Sequence, residues 1–439
     1  MKSIVIVGGG ISGLVALHHL RKKYASDQSV TVQLFEKESH AGGAIHSIEE
    51  NGFLFETGPN GFLNNQPAVF DLARDLGLES ELIAALPTCR NRFVRLGNDL
   101  YPFPNHPLGL LGFKPLSVID KLRILCEPWV KPQADPRETV YDFAVRRFGK
   151  GAANFLFDPL AHGIFGGDVR QLNMKESFAL AYSFEETHGS VTRGLLKSRK
   201  GQPKRRMHSF RKGMGTLIKA LYARNQSFIQ LGKEITDISF EDKRFILTSS
   251  SGNIFADELF LCVPAPVAAI LVKRLNPVLA QQLQSITYAP IAVVGLAYRK
   301  QDFPRLPEGF GYLIPSSQNN PVLGVVFENN VFEGRAPDTH LLIRVMIGGT
   351  LHPHAVHESK TQLLATAHRA IQNVFGGDET PVYNFIKTFP QAIPQYDTRY
   401  SMLKKDIDVE LLKTPQLHLL ANYYKGISFN DCIKNALQF

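Results

Sequence analysis

The hydrophobic pattern opens on Ile4-Val5-Ile6-Val7, a β-branched run that predicts a buried strand. Three glycines follow, and Leu14 to Leu20 continues with helical character. Val30 to Phe35 predicts a second strand, which Glu36 closes. Phe53 to Phe62 predicts a short strand ending in a Gly-Pro turn. Between Pro67 and Gly77, Val69, Leu72, Ala73 and Leu76 fall on one helical face, with Gly77 as the stop. Arg90 to Leu100 predicts two strands around Gly97-Asn98. Ser117 and Asp120 have capping-box spacing and start a helix. Pro136 to Phe148 predicts another, ended by Gly149. Residues 150 to 190 read as further helices, with Gly163 to Asp168 as a turn, and Gly213 to Leu217 resumes a helix.

Strands return at Phe228–Ser239, Arg244–Ser249 and Glu258–Val263, the last bringing the chain back to its first sheet. Ala292–Tyr298, Val322–Phe327 and Leu341–Ile347 predict a mostly antiparallel second sheet, crossed by an amphipathic helix at Thr361–Phe375. Leu417–Leu420 predicts a last strand. A turn through Ala421-Asn422 to Gly426 leads into a helix at Ile427–Leu437, with Ser428 or Asn430 as N-cap.

Strand, glycine turn, helix, strand and acid is the order of a nucleotide-binding βαβ unit. Gly8 permits the tight turn, Gly10 lets the backbone approach a pyrophosphate, and Gly13 lets the helix sit on the sheet. Ile11 and Ser12 open that helix, whose free N–H groups suit phosphate oxygens. Glu36, 23 residues after Gly13, is placed for ribose hydroxyls and argues against a 2′-phosphate. A second doublet, Gly42-Gly43, is similar to one found in flavoproteins of the amine oxidase and phytoene desaturase type. It points to FAD rather than a nicotinamide cofactor. The second helix N-terminus near Ser428 offers a site for another part of that long molecule.

With 439 residues, 44% hydrophobic and 20% charged, the chain has the size of two or three domains. No apolar run reaches the roughly 18 residues of a membrane span, and no secretory signal precedes Ile4, so a cytoplasmic protein is expected. Cys89, Cys126, Cys262 and Cys432 lie far apart and read as free thiols. A net charge of +9 suits anionic lipid or an anionic substrate; no nucleic-acid module is present. Arg90, Arg92 and Arg95 form a basic strand, one of which is a candidate for an acidic substrate. Pro102 to Pro115 is an interrupted apolar segment, either a packed loop or a membrane-dipping lip. Lys197, Arg199, Lys200, Lys204, Arg205, Arg206, Arg211 and Lys212 form a basic loop that suits an anionic leaflet. His352, His354 and His357 read as a surface loop rather than a metal site. Nucleophile-elbow, zinc-protease and Walker motifs are absent, which agrees with a bound cofactor carrying the chemistry.

Over essentially its whole length the chain resembles the protoporphyrinogen oxidase and coproporphyrinogen III oxidase family of FAD enzymes. The carrying blocks are Gly8 to Leu14, Phe55 to Gly61, Asn91-Arg92-Phe93 with Leu100-Tyr101-Pro102, and Thr139 to Phe143 with Arg146 to Gly149. They continue through Gly163 to Asp168, Thr187 to Ser190, Gly309 to Ser317, Ile393 to Tyr396 and Gly426 to Ile433.

The resemblance implies an α/β plus α+β molecule in three parts. A Rossmann-like FAD-binding domain takes 1-88, 207-272 and 390-439. A mixed-sheet substrate-binding domain takes 89-104 and 273-389, and a helical membrane-associating domain takes 105-206. FAD contacts are expected from Gly8, Gly10, Ile11, Ser12, Gly13, Glu36, Lys37, Gly42, Gly43 and Ala44, then from Gly58, Pro59, Asn60, Asn422, Ile427 and Ser428. Arg92 would look towards a propionate, with Phe310, Gly311, Leu313 and Met346 around the macrocycle. The implied reaction is six-electron oxidation of protoporphyrinogen IX to protoporphyrin IX, with hydride passing from a meso carbon to the flavin and molecular oxygen yielding hydrogen peroxide. No side-chain base is assigned. Coproporphyrinogen III, with four propionates rather than two, is the nearest rival, and extra basic groups around the substrate would favour it; an amine oxidase or carotenoid desaturase is more distant. Peripheral contact with the inner face of the cell membrane is expected, and the resemblance admits a homodimer and hand-over of product to ferrochelatase.

Overall fold

The computed structural model describes residues 1–198, 205–304, 306–377 and 379–439. Arg199, Lys200 and Lys204 of the expected basic loop lie outside the described residues.

The opening run is the strand Lys2–Val7, central in a five-stranded parallel sheet. The order across the sheet is Ile229–Gln230, Val30–Phe35, Lys2–Val7, Glu258–Leu261 and Leu417–Leu419. Val5 pairs with Gln33 on one side and Leu259 on the other, and Leu259 pairs with Leu417. Ile4 and Ile6 pack under the helices Ile11–Lys23, Gly215–Asn225 and Phe429–Ala436. Val5 and Val7 pack on the other face against Ala265–Val272 and the antiparallel meander between Ile235 and Ala256. Both faces are therefore covered, which is why these strands read as continuous apolar runs rather than alternating ones.

The second sheet has seven strands, in the order Tyr383–Pro394, Tyr288–Arg299, His340–Gly348, Val322–Phe327, Gly311–Leu313, Phe93–Leu96 and Asp99–Pro102. Neighbours are antiparallel except Gly311–Leu313 with Phe93–Leu96. The Phe93–Pro102 hairpin, turning at Gly97-Asn98 as expected, thus joins an edge built from residues some two hundred positions later. The helix Lys360–Phe375, with a complete capping box between Ser359 and Gln362, covers one face.

Between the hairpin and residue 198 the chain is helical: Pro107–Gly112, Val118–Leu125, Val140–Phe148, Asp158–Phe165, Ala179–His188 and Val191–Ser198. The Ser117–Asp120 capping box forms. Gly163 to Asp168 is only partly a turn. Gly163, Ile164 and Phe165 stay helical; a Cβ at Gly163 would overlap Leu313, so the glycine serves a close approach rather than a bend. The helix stops at Gly166, with φ +59°. Within the Pro102–Pro115 segment, Leu110 and Phe113, with the adjoining Leu116, pack into a small core around Val94, while Leu111 is exposed. More exposed apolar surface lies on the next helix and its end, at Val118, Ile119, Leu122, Leu125 and Trp129. No described helix is long and apolar enough to cross a membrane.

An ion cluster that the hydrophobic pattern gave no hint of ties these helices together. The fully buried Arg147 donates from Nε to Glu127 Oε1 at 2.8 Å and from Nη1 to Glu185 Oε1 at 3.3 Å. Glu127 also accepts from Ser190 Oγ at 2.6 Å and from the backbone N–H groups of Val191 and Thr192, at 3.0 and 3.1 Å. It therefore holds the start of the Val191–Ser198 helix. Burial pushes the Glu127 carboxyl up, but Ser190, Thr192 and Arg147 outweigh it and keep it below the ordinary value.

Candidate functional site

The glycine turn between Val7 and Ile11 is shaped by what it cannot accommodate. Gly8 has φ +106°, and a Cβ there would lie 2.6 Å from the Cys262 carbonyl oxygen. A Cβ at Gly13 would overlap the Gly8 carbonyl, so the helix starts in contact with the strand. A Cβ at Gly10 would meet nothing within 4 Å. The protein thus crowds Gly8 and Gly13 and leaves the Gly10 side open. Gly42-Gly43 lies against this turn: the Gly42 N–H donates to Gly9 O at 2.8 Å, Gly10 and Gly42 form a bridge, and a Cβ at Gly43 would sit 3.3 Å from Gly10 Cα. Glu36 reaches the same place, accepting from Gly9 N at 2.6 Å and from Glu38 N at 2.9 Å. Lys37 is exposed, its Nζ 3.8 Å from Glu38.

Ala44 accepts at its carbonyl from Thr57 Oγ1 at 2.9 Å, which brings Gly58-Pro59-Asn60 up to the doublet. Beneath that segment lie charges that the sequence reading missed. Arg344 donates from Nη1 to the Gly58 carbonyl at 2.9 Å. Its Nε is 2.8 Å from Glu328 Oε1, close as an ion pair though poorly aligned as a hydrogen bond. Asn60 Nδ2 approaches Glu328 Oε2 at 3.4 Å. Glu56 accepts from Met214 N and Ser47 Oγ, each at 2.8 Å, and burial pushes its carboxyl up to about 7. The available signal was a charge inside an apolar strand, as at Arg344 in Leu341–Ile347.

At the other end of the chain, the strand Leu417–Leu419 runs parallel to Glu258–Leu261. Its following turn, with Gly426 at φ +125°, leads to the helix Phe429–Ala436. Ser428 is the N-cap, accepting from Asp431 N at 3.1 Å. Asn430 is not. Its Nδ2 donates to Leu63 O at 2.8 Å and Asn65 Oδ1 at 2.7 Å. The Asn422 carbonyl accepts from the Tyr396 hydroxyl, and Ile427 packs against the Val140–Phe165 cluster. Two helices therefore follow parallel strands of one sheet, and both N-termini open at its carboxyl edge.

On the second sheet, Arg92 and Phe310 meet, with the guanidinium carbon 5.1 Å from the ring centroid. Both line a cavity of about 740 Å³. Arg92 is exposed on the cavity side, yet the protein packed around its guanidinium pushes its pKa below the usual arginine range. Gly311 has φ +140°, and its Cβ would overlap the Val325 carbonyl. Phe310 and Met346 pack on one cluster with Ala85, Val331 and Phe332. Leu313 pairs across the sheet with Gly324, which pairs with Met346. Arg95 stands apart from Arg92: it is buried and donates from Nε to Gly97 O at 2.8 Å, closing its own hairpin. Arg90 joins Arg92 at the cavity, together with Cys89, Arg205 and Arg206, which the sequence reading had not placed in the substrate site.

A nucleotide cradle split between both ends of one parallel sheet, with a second sheet beside a cavity lined by arginines and apolar side chains, defines a class. The chain belongs to the flavin-containing amine oxidoreductase family, whose model matches residues 11–438. Within that class its relatives are protoporphyrinogen oxidases. That of Bos taurus is 32% identical over 100% of this chain and 97% of its own length. That of Homo sapiens is 31% identical with the same coverage, and the chloroplastic protoporphyrinogen oxidase 1 of Arabidopsis thaliana is 29% identical over 99% and 86%. Solved structures share the fold. One assigned to a protoporphyrinogen oxidase of Exiguobacterium sp. 255-15 superposes with a TM-score of 0.87 at 22% identity, covering 99% of this chain and 97% of that one. A reduced UDP-galactopyranose mutase gives 0.76 at 15%, covering 100% and 93%. The cofactor is FAD, and the residues present fit it. Gly10 leaves open room for a pyrophosphate, a carboxylate stands at the end of the second strand, and a second helix N-terminus opens on the same edge.

Proposed function

We propose that this chain oxidises protoporphyrinogen IX to protoporphyrin IX in haem biosynthesis, removing six electrons with dioxygen as final acceptor and three molecules of peroxide as by-product. The observation that carries the reading is the Arg92–Phe310 contact on the wall of a cavity that mixes arginines with apolar side chains, in a chain whose full-length relatives include protoporphyrinogen oxidases. The bound flavin supplies a two-electron acceptor that dioxygen regenerates.

The chain's own residues bind, orient and exclude water. Gly8, Gly10, Ile11, Ser12 and Gly13 would hold the pyrophosphate, with Glu36 for the ribose and Lys37 beside it at the surface. Gly42, Gly43, Ala44, Gly58, Pro59 and Asn60 would line the dinucleotide. Asn422, Ile427 and Ser428 would serve the flavin end. Arg92 takes a propionate, while Phe310, Gly311, Leu313 and Met346 form the surface on which the macrocycle lies. Fixing a flexible porphyrinogen at one face of the flavin is catalysis by orientation. Peripheral membrane contact is part of the proposal, and the exposed apolar side chains of Val118, Ile119, Leu122, Leu125 and Trp129 support it.

The test is direct. The purified holoprotein is given protoporphyrinogen under air, and porphyrin fluorescence and peroxide are followed together. Three peroxides per porphyrin are expected. Flavin-loaded protein that forms no porphyrin overturns the reading.

A further inference from the structure

A buried charge network links the segment Gly58-Pro59-Asn60 to the cluster that contains Phe310 and Met346. Arg344 and Met346 stand two residues apart on the strand His340–Gly348, so their side chains leave one face of the seven-stranded sheet. Arg344 donates from Nη1 to the Gly58 carbonyl at 2.9 Å, and its Nε lies 2.8 Å from Glu328 Oε1. Glu328 Oε2 accepts from Asn60 Nδ2 at 3.4 Å. One carboxylate therefore holds both the arginine that grips residue 58 and the amide of residue 60. The backbone around Glu328 reaches the other side. Phe327 N donates to the Phe310 carbonyl at 2.9 Å, and Val331, on the short helix Glu328–Val331, packs in one cluster with Phe310 and Met346.

Glu328, Arg344 and Asn60 are all buried. Stability alone is a poor reason for such a pair, because apolar residues of similar volume often serve a core as well. What the network fixes is direction. A carboxylate only accepts, so Asn60 turns its amide nitrogen to Glu328 and its Oδ1 away. That oxygen has no hydrogen-bond partner among the described residues.

We propose that Glu328 and Arg344 are positioning residues for the oxidation. They hold the segment 58–60 at a set distance from Phe310 and Met346, and they fix Asn60 as a hydrogen-bond acceptor on the cofactor-lining segment. The inference rests on the porphyrinogen reading above and deepens it, because a misplacement of about 1 Å between reacting partners costs on the order of a hundredfold in rate.

The experiment compares the holoenzyme with Glu328→Gln, Arg344→Met and the double variant Glu328→Leu/Arg344→Met. The double variant replaces the charge pair by apolar side chains, and Glu328→Gln keeps the side-chain size but lets the amide at residue 60 turn either way. Flavin content and melting temperature report folding. Anaerobic reduction of the bound flavin by protoporphyrinogen, followed by stopped flow, separates the limiting rate from the apparent Kd. Visible circular dichroism of the flavin reports its surroundings without turnover. The double variant is expected to keep its flavin and its melting temperature, to lose about tenfold or more in limiting rate, and to hold the apparent Kd within about threefold. Glu328→Gln is expected to move the rate in the same direction by less, and both variants to change the flavin dichroism. A wild-type limiting rate in a folded, flavin-loaded double variant overturns the positioning role, and so does a loss that lies wholly in Kd. Wild-type protein whose flavin is not reduced by the porphyrinogen sinks the oxidase reading by itself. The dichroism then decides the inference separately: a changed signal in Glu328→Gln upholds the hold on residues 58–60, and an unchanged one overturns it.

Discussion

Leu313 and Met346 face each other across Gly324 on one face of the seven-stranded sheet. Leu313 pairs with Gly324, and Gly324 pairs with Met346, so two half-buried apolar side chains flank a position that carries none. With strands about 4.8 Å apart, the two flanking backbones lie roughly 10 Å apart, and the Leu313 side chain leans into the slot between them. A Cβ at Gly324 would lie 3.0 Å from Leu313 Cδ2 and 2.9 Å from the Tyr312 carbonyl. Gly324→Val should therefore fill the slot at an overpacking cost of about 1–3 kcal/mol. If the slot seats the macrocycle, kcat/KM with porphyrinogen falls at least tenfold, on the order of 1.4 kcal/mol, while flavin content stays near wild type. Unchanged kinetics in a folded, flavin-loaded variant would remove the slot from the substrate site.

Arg92 offers a cleaner separation of binding from chemistry. It touches Phe310 and lines the cavity, but it lies on the neighbouring hairpin rather than in the nucleotide cradle. Arg92→Ala should raise KM about tenfold to a hundredfold, the worth of one charge-assisted hydrogen bond, and leave the flavin spectrum alone. A fall confined to kcat would contradict the role of a propionate anchor.

Glu36 makes the matching test for the cofactor. Its carboxylate accepts from Gly9 N and Glu38 N, so it shapes the turn as well as offering oxygens to a ribose. Glu36→Ala should weaken FAD binding by about 1.5–3 kcal/mol, roughly tenfold to a hundredfold in Kd. Flavin release on dilution, read by its fluorescence, measures this. An unaltered Kd would show that the ribose is held elsewhere.

The nucleotide half was legible because each step had a local signal. Gly13 and Glu36 are fixed by contacts with the glycine turn itself, Gly8 is marked by the tight turn although the Cys262 carbonyl is what crowds it, and the continuous apolar runs matched strands covered on both faces. The second helix N-terminus was also readable, down to the choice between Ser428 and Asn430, which only packing against Leu63 and Asn65 decides. The Gly163 turn was misread because a glycine needed for close approach to Leu313 looks the same in sequence as one needed for a bend. The apolar Pro102–Pro115 segment was ambiguous for a related reason. Composition does not say which side of Leu110 and Phe113 is covered, and Val94 covers it from the preceding hairpin. Arg205 and Arg206 were assigned to a surface loop, because nothing local places them beside Arg90 across more than a hundred residues.

Glu127 connects stability to the cavity. It satisfies Arg147 and the first N–H groups of the Val191–Ser198 helix, whose Leu195 and Ser198 line the cavity together with Leu180 of the preceding helix. Glu127→Ala leaves the buried Arg147 with the more distant Glu185 and uncaps the helix, a loss of about 3–5 kcal/mol. Faster proteolysis near Ser198 and a raised KM are expected together. A variant with wild-type proteolysis and a lowered melting temperature would confine Glu127 to stability.

Glu56 gives the protein a pH signature of defined sign. Its carboxyl is raised from 4.5 to about 7, first by burial, which the Arg335 charge and the bonds from Met214 and Ser47 only partly offset. Below pH 4.5 the group is protonated whether the chain is folded or not, and its contribution to stability is fully present. As pH rises, the unfolded chain ionises first, so stability is lost progressively until the folded group ionises at about 7. The gap between about 7 and 4.5 is worth about 3 kcal/mol. Glu56→Gln mimics the protonated side chain, and its oxygen can still accept from Met214 N. The variant should match wild type near pH 4.5 and melt at a higher temperature at pH 8. Melting curves of both proteins across that range, at constant salt and flavin loading, measure the difference. A variant less stable than wild type at pH 8 would mean that ionised Glu56 is stabilised by Arg335 and the α-helix N-terminus at Met214 more than burial penalises it.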